Sequence, residues 1–493
     1  MTTLGPLFLR FVPGRLPDLP AGGDGDAVDG PRVRVNASRV EIETDPFGAQ
    51  AVYVAHPNGP RQGQTVVSSS VGRLVREGDV PGRIDPARAV RALFASLAPS
   101  ETLFEQVELL PSGHVLSIEG GTVTVSKGAD LPSFQPGPLT MSLDDYRIEL
   151  RYTLREAVTR RLAEGAGILL SGGLDSAGLL AIASEVRRGR VTAYTLAGDR
   201  GDDEELARAR LVADQQQAEH VVVRISEAEL PKRAGEAILA YEGLIHNGLP
   251  IAKYLFHQKL AAGTIVLSGV GADEVLAGNP DLLIPPPGEL PAYLDMQDDD
   301  VALTRILLTG HAQALIPPLE SEGPPRDLDA LGWSQAVYMR TVLPSATLPA
   351  EVRMAAGVSV AVRVPYLDPE VVRFCAGLPR ALRERDGTGK VLLRLLFEGV
   401  LPADVLRQPK VARLVPPGGL DPRAQAAWLE LYDGYLAERP DVHGILDRHR
   451  VRALLDSYRS LPPTNRYRVV ADRVLMRLLS LAILAELWGT RTG

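Results

Sequence analysis

The chain has 493 residues, enough for roughly two or three domains that each have a core of their own. Hydrophobic residues make up 45% and charged residues 23% of the sequence, which is typical of a globular protein. The formal net charge of −8 argues against a nucleic-acid partner, because proteins that bind phosphate backbones usually present a basic face. The only cysteine, Cys375, excludes an internal disulfide and a multi-cysteine zinc site, and fits a reducing compartment.

We expect no membrane partner and a cytoplasmic location. Residues 1–15 have no charged and apolar leader pattern, and no apolar run is long enough to cross a bilayer. The most apolar stretch, "LLSLAILAELW" at 478–488, contains Glu486 and predicts a buried helix that ends at Gly489.

Residues 1–128 form the first predicted domain, which is small and rich in β-strands. Short alternating runs such as "RVRVNASRVEIETD" and "GHVLSIEGGTVTVSK" are separated by glycine and proline. The proline-rich residues 129–141 predict a linker. Ser142 and Asp145 then have the spacing of a capping box, which predicts a helix that runs to about residue 163.

Residues 142–493 form the second predicted domain, an α/β unit. The runs "GILLS", "RVTAYTL", "EHVVVRI" and "GTIVLSG" alternate with helical patterns. This alternation predicts a parallel sheet covered by helices. From about residue 300 onward, the pattern is mainly helical.

The stretch "SGGLDS" at 171–176 connects the first of these strands to a helix, the place where open α/β sheets commonly bind phosphate. Two glycines let the backbone approach an anion, and the following helix aims free N–H groups at it. Serine hydroxyls add donors, and an aspartate can hold the Mg²⁺ that accompanies a polyphosphate. The predicted nucleotide-binding residues of this loop are Ser171, Gly172, Gly173, Leu174, Asp175 and Ser176.

This loop resembles the pyrophosphate-binding loop of the N-type ATP pyrophosphatases, and the order of motifs resembles the asparagine synthetase family. That family includes the β-lactam and carbapenam synthetases and the lasso peptide cyclases. "DPFGAQAVYVA" and "TLFEQVELLPSGHVL" are similar to late parts of the family's glutaminase-like N-terminal domain. "LSGVGADEVLAG", "RMAAGVSVAVRVPYLDPEVV", "GTGKVLLRLL" and "LPADVLRQPK" are similar to successive parts of its synthetase domain, the second of them to a helical segment.

The resemblance implies that ATP and Mg²⁺ are the cofactors. Asp175 and Asp273 match positions that share the metal, although Asp273 could instead cap a helix. The other residues that the resemblance places near the nucleotide are Thr195, Gly269, Val270, Gly271 and Lys390.

Two residues are predicted to act on the amide-forming step. Lys410 in "RQPK" matches the family's catalytic lysine. Val270 stands where β-lactam synthetases carry a tyrosine, so the base must lie elsewhere. Glu351 in "LPAEVRMAAG" falls near the carboxylate that partners that tyrosine, and the alternative is a glutamate favoured by a helix start.

The resemblance also predicts that ammonia from glutamine is not the nitrogen source. Family members that hydrolyse glutamine carry a cysteine directly after the initiator methionine, whereas this sequence begins "MTTLGPLF". The region before residue 171 is also short for a complete glutaminase domain of the N-terminal nucleophile type. Thr2 is the alternative nucleophile. We therefore expect a truncated and inactive glutaminase-like domain.

The expected function is that of an ATP-dependent carbon–nitrogen ligase. It adenylates a carboxylate, releases pyrophosphate and AMP, and closes the acyl group with an amine of the same substrate. A lasso-peptide macrolactam synthetase of antibiotic biosynthesis fits best, with a leader-processed precursor peptide and a protease as partners. The alternatives are a small-molecule β-lactam or carbapenam-type synthetase, an asparagine-synthetase-like amide ligase and, less well supported, a tRNA-modifying ATP pyrophosphatase.

Overall fold

The computed structural model describes residues 7–11, 29–36, 39–56, 63–77, 79–94, 97–187, 189–199, 204–279, 298–316, 328–408, 421–438, 444–462 and 465–489. The strands are β1 Phe8–Phe11, β2 Arg32–Val35, β3 Arg39–Glu43, β4 Tyr53–Ala55, β5 Thr65–Ser68, β6 Val107–Leu109, β7 His114–Glu119, β8 Thr122–Lys127, β9 Gly167–Leu169, β10 Thr192–Gly198, β11 Glu219–Ile225, β12 Ile265–Leu267, β13 Ala361–Arg363, β14 Glu384–Arg385 and β15 Thr388–Gly389.

The α-helices are α1 Val71–Arg76, α2 Pro86–Leu93, α3 Leu143–Arg161, α4 Leu174–Val186, α5 Glu204–Gln215, α6 Leu230–Tyr241, α7 Leu249–Gln258, α8 Ala272–Val275, α9 Asp298–Leu307, α10 Gly310–Gln313, α11 Ala330–Arg340, α12 Met354–Ala356, α13 Pro369–Ala376, α14 Arg380–Arg383, α15 Val391–Leu396, α16 Ala403–Arg407, α17 Pro422–Tyr432, α18 Arg448–Ser460 and α19 Arg466–Gly489. Short 3₁₀ turns cover Glu227–Glu229 and Pro365–Leu367, and π-helical turns cover Leu343–Thr347, Pro349–Arg353 and Asp433–Ala437.

The N-terminal region contains two antiparallel sheets, as the short alternating runs predict. Their strand orders are β1-β5-β4-β6 and β2-β3-β7-β8. Alternating apolar residues of the two sheets, such as Leu9, Val67, Ile42 and Leu116, meet in one buried cluster. Helices α1 and α2 were not expected from the sequence, because each is eight residues or shorter and carries too little periodicity.

A five-stranded parallel sheet forms the centre of the second region, which confirms the predicted α/β class. Its strand order is β11-β10-β9-β12-β13. The chain moves from β9 through β10 to β11 at one edge, and then returns to the other side of β9 with β12 and β13. The direction of winding therefore reverses between β9 and β12. Ligands of open α/β sheets bind in the crevice at such a reversal, beyond the carboxyl ends of the strands.

After residue 300 the described chain is mainly helical, as the sequence predicts, but it also contains the unpredicted strand β13. It pairs in parallel with β12, with Ile265 opposite Ala361 and Leu267 opposite Arg363. The strand has only three residues, between a left-handed Ser359 and Pro365. Three residues are too few for a recognisable alternation, so pairing with β12 decides their conformation.

Helices cover both faces of the sheet. Leu154 of α3 and Leu180 of α4 share one apolar core with Ile168 of β9. Helices α6 and α7 belong to a second core, which also contains the C-terminal helix α19. The apolar stretch 478–488 lies in α19 and is largely buried, as predicted. Among the described residues, no helix combines the length and the apolar character needed to cross a bilayer.

The capping box predicted at Ser142 and Asp145 is present and starts α3.

The last residue of helix α3, Arg161, is buried and lies 2.5 Å from Asp29 and 2.6 Å from Asp368. Burial opposes ionisation of Asp368, but Arg160 and Arg161 outweigh it and hold the pKa of this carboxyl below its ordinary value. The Asp29 carboxylate also accepts a hydrogen bond from the Val364 amide at 3.0 Å. Arg161 therefore ties an N-terminal residue to the segment that follows β13.

We expect Arg161→Met to destabilise the protein strongly, because it leaves two buried carboxylates without their shared guanidinium. Breaking a buried ion pair costs about 3–5 kcal/mol of unfolding free energy. The matched control is Arg151→Met on the same helix, whose partly exposed pair with Glu185 should contribute about 0–1 kcal/mol. Urea unfolding followed by circular dichroism measures both, and equal losses would contradict a structural role for the Arg161 pairs.

Candidate active site

The loop from β9 to α4 is shaped by glycine and by its own serines. Gly172 has a φ of +77°, and a Cβ there would lie 2.4 Å from the Glu205 carbonyl oxygen. The Ser171 amide donates to Ser176 Oγ at 3.1 Å, and this hydroxyl donates to the Gly173 carbonyl at 3.1 Å. Gly173 is the N-cap residue of α4 and provides no side-chain cap, so the first-turn N–H groups are available for an anion.

The loop Ser268–Gly271 after β12 meets this first loop directly. A Cβ on Gly269 would lie 3.0 Å from Asp175 Cβ and 3.2 Å from the Ser176 amide nitrogen. Gly271 has a φ of +96°, and a Cβ there would lie 2.5 Å from Leu367 Cδ2. The structure thus brings the two predicted nucleotide loops, including Val270, together at the winding reversal between β9 and β12.

Lys390 lies between the two predicted metal-binding carboxylates. Its Nζ is 2.6 Å from Asp175 Oδ2 and 2.6 Å from Asp273 Oδ1. Gly278 makes room for the lysine, because a Cβ there would lie 1.9 Å from Lys390 Cε. The three charged residues predicted for the phosphates and the metal therefore form one cluster.

The two carboxylates fit a Mg²⁺ ion that arrives with a nucleotide. Asp175 Oδ1 is buried and has no hydrogen-bond partner among the described residues, so it can act as a metal ligand. Within the described ranges, no group of three or more acidic, histidine or cysteine residues is arranged to hold a metal. Mg²⁺ commonly takes one or two protein carboxylates and completes its shell with phosphate and water oxygens.

Tyr366 contacts the backbone of Asp175 and was not predicted from the sequence as a site residue. Its hydroxyl donates to the Asp175 carbonyl at 3.1 Å. Burial, followed by the charge of Asp175, raises the pKa of Tyr366 well above its ordinary value, so the phenol stays protonated. The sequence feature that could have identified Tyr366 is its position in "RVPYLD", because this motif is part of the family resemblance.

Glu351 lies in the π-helical turn Pro349–Arg353, beside the loop that carries Val270. It is 4% exposed. Ser268 Oγ donates to Glu351 Oε1 at 2.8 Å, and the Lys253 ammonium donates to Oε2. Burial opposes ionisation, but the charge of Lys253 outweighs it and lowers the pKa of Glu351. The carboxylate is therefore ionised, and each of its oxygens has a donor.

Sequence reasoning missed Lys253 and Ser268 as the partners of Glu351. Lys253 lies on α7, 98 positions before the glutamate, and no motif connects the two. Burial lowers the pKa of His257, one turn further along α7, to about 4, so its ring is neutral at pH 7. Lys253 is thus the cation that balances Glu351.

Thr195 lies next to the end of β9, inside the sheet. Its hydroxyl donates to the Leu170 carbonyl at 2.7 Å and lies 2.8 Å from His220 Nε2. Its contact with adenine stays a prediction.

Lys410 and Thr2 lie outside the described residues. The chain that leads to Lys410 is anchored by Arg394 of α15, which donates to the Gly389 carbonyl at 3.1 Å and the Gln408 carbonyl at 3.3 Å. Lys390 immediately precedes α15. The helix that follows Lys390 therefore also carries Arg394, the residue that contacts the segment before Lys410.

Comparison with known proteins identifies the family. The family described as asparagine synthase matches residues 149–488, most of the chain. Proteins of Mycobacterium bovis and Mycobacterium tuberculosis, both named "Putative asparagine synthetase (glutamine-hydrolyzing)", are 25% identical over 462 residues, covering 82% of this chain and 70% of each relative. "Asparagine synthetase (glutamine-hydrolyzing) 3" of Bacillus subtilis is 22% identical over 424 residues, covering 79% of this chain and 67% of that protein.

The chain belongs to the asparagine synthase family. The predicted family is therefore confirmed, and at this level the protein is an ATP-dependent amide ligase. The family uses ATP, typically with Mg²⁺, which agrees with the loops and carboxylates at the crevice.

We expect Gly269→Ala to weaken MgATP binding, because the new methyl group pushes the loop away from Asp175 and Ser176. Overpacking of this kind typically costs about 1–3 kcal/mol, or roughly 5- to 150-fold in the dissociation constant. Gly235→Ala on α6 is the matched control, since no atom lies within 4 Å of its added Cβ. Isothermal titration calorimetry measures both, and equal affinities would show that the two loops do not form the nucleotide site.

Proposed function

We propose that this protein is a glutamine-independent ligase that adenylates a substrate carboxylate and closes it onto an amine of the same substrate. The observation that carries the proposal is the cluster of Asp175, Asp273 and Lys390 between the two loops. Cys375, the only cysteine of the sequence, supports glutamine independence. It is fully buried in α13, and burial raises the pKa of its thiol to about 12, so it is unsuited to act as a nucleophile.

In the first half-reaction, a carboxylate oxygen attacks the α-phosphorus of ATP, and the bond to the β-phosphate breaks. We expect the N–H groups at the start of α4 and the ammonium of Lys390 to bind the departing pyrophosphate. Asp175 and Asp273 are the residues that would hold Mg²⁺, which supplies positive charge against the phosphates when bound.

In the second half-reaction, the amine nitrogen attacks the acyl carbon, AMP leaves, and the nitrogen loses a proton. Lys410 is the predicted cation for the tetrahedral oxyanion. Val270 cannot accept the proton. Glu351 stays our proposed residue for this step, but its lowered pKa and its two engaged oxygens favour action through Lys253 and Ser268 over direct contact with the amine.

An amine on the same substrate would replace ammonia by its high effective concentration. The buried thiol supports a lasso-peptide macrolactam synthetase, which would act on a leader-processed precursor peptide with a protease as partner. The second candidate is an asparagine-synthetase-like amide ligase, which the names of the relatives favour. A β-lactam or carbapenam-type synthetase is supported less well, because Val270 replaces the tyrosine.

The proposal predicts the nitrogen source and the product. With MgATP, we expect no release of glutamate from glutamine, and the same result for Thr2→Ala. With a precursor peptide encoded beside the gene, we expect AMP to form and the peptide mass to fall by one water. Asp175→Asn is the inactive control, because it removes charge from the metal site. Formation of asparagine from aspartate with ammonia or glutamine would instead establish the second candidate.

Lys410→Ala separates the two half-reactions. Removing one charge-assisted donor from an oxyanion site typically costs on the order of 10²- to 10³-fold in rate. We expect amide formation to fall by that factor, while substrate-dependent exchange of labelled pyrophosphate into ATP continues. Lys259→Met, a neutralisation at the end of α7, is the control. Unchanged product formation by Lys410→Ala would exclude a catalytic role for this lysine.

A further inference from the structure

We infer that Lys390 competes with the divalent ion for Asp175 and Asp273, so that metal binding at these carboxylates requires nucleotide phosphates to draw the ammonium away. The inference rests on the proposed function, because it assumes that the nucleotide binds at this crevice. It goes further in stating that the protein couples metal binding to nucleotide binding through one side chain.

The first support is that the ammonium and the metal would share the same two carboxylates. The ammonium lies 2.6 Å from an oxygen of each carboxylate, and a metal held between Asp175 and Asp273 would use the same groups. The lysine side chain is 5% exposed, so water and salt screen these contacts weakly. A divalent ion must therefore overcome a strong resident charge interaction.

The second support is that the backbone holds the lysine in this place. Lys390 has a φ of +60°, a left-handed conformation that is unfavourable for a residue with a side chain. Its amide donates to the Leu276 carbonyl at 2.9 Å. Neighbouring Gly389 packs so closely that a Cβ would lie 1.8 Å from the Ala277 carbonyl oxygen. The segment after α8 thus fixes the lysine directly opposite Asp273.

The third support is the small number of protein ligands among the described residues. Two carboxylates supply few of the oxygens that Mg²⁺ requires, and this ion gives up its water reluctantly. The phosphates of a nucleotide supply further metal ligands and also offer the Lys390 ammonium new charge-assisted hydrogen bonds. Both effects favour the metal only when the nucleotide is present, and each ligand must then increase the affinity for the other.

Mn²⁺ binding tests the inference without knowledge of the substrate. Electron paramagnetic resonance counts bound Mn²⁺ in the wild type, alone and with the ATP analogue AMPPNP. We expect no stoichiometric binding of Mn²⁺ alone and one bound ion per chain with AMPPNP. We expect Lys390→Met to bind Mn²⁺ alone at least about tenfold more tightly than the wild type, and to bind AMPPNP more weakly. Lys259→Met removes the same charge from a side chain that is 44% exposed, and it should behave as the wild type.

Tight stoichiometric binding of Mn²⁺ to the wild type without nucleotide would overturn the inference, as would equal Mn²⁺ affinities of Lys390→Met and the wild type. If Lys390→Met does not fold, the wild-type measurements still decide. Failure of the wild type to bind AMPPNP with Mn²⁺ would contradict the proposed function itself. Binding of AMPPNP together with nucleotide-independent binding of Mn²⁺ would contradict only the competition.

Discussion

Two carboxylates that follow different strands of one parallel sheet, Asp175 and Asp273, face the same buried ammonium. Like charges this close in a poorly solvated place need a cation between them. The surrounding backbone meets that need, since Gly278 leaves space for Lys390 and Gly269 lets the second loop reach Asp175. The reversal of winding between β9 and β12 places the two carboxylates on neighbouring loops.

The Asp175, Asp273 and Lys390 cluster is connected to the far edge of the sheet. Strand β13 leads into Val364, whose amide is held by Asp29, and Asp29 is held by Arg161. Two residues after Val364, Tyr366 donates to the Asp175 carbonyl. A continuous set of hydrogen bonds and covalent links therefore runs from the end of α3 to the loop between β9 and α4. The N-terminal region contributes Asp29 to it, which gives that region a structural part in the site.

A second charged pair, Glu351 with Lys253, lies at the same crevice, and its lysine comes from the helical layer on the other face of the sheet. Lys253 comes from α7, which packs in the core that also contains α19, whereas α4, the helix that carries Asp175, packs in the opposite core. Glu351 is satisfied by Lys253 and Ser268, and Ser268 Oγ also accepts from the Val270 amide at 3.3 Å. The loop that carries Val270 is thus supported by the glutamate on one side and contacts the loop between β9 and α4 on the other. Groups from both faces of the sheet consequently meet at this crevice.

Local patterns were sufficient to predict much of this protein. The capping box of α3, the alternation of strands with helices and the loop "SGGLDS" are properties of contiguous residues, and each could be identified from spacing and residue type. The second loop was identified from its resemblance to the asparagine synthetase family. Other features arise only when distant segments meet. The pairing of Glu351 with Lys253 spans 98 positions, and that of Lys390 with Asp175 spans 215. Strand β13 has three residues and exists because β12 is there to pair with it. Side-chain pairs across such separations leave no periodic trace in a single sequence, so the charge contacts of the site followed from packing of the sheet and its two helical layers.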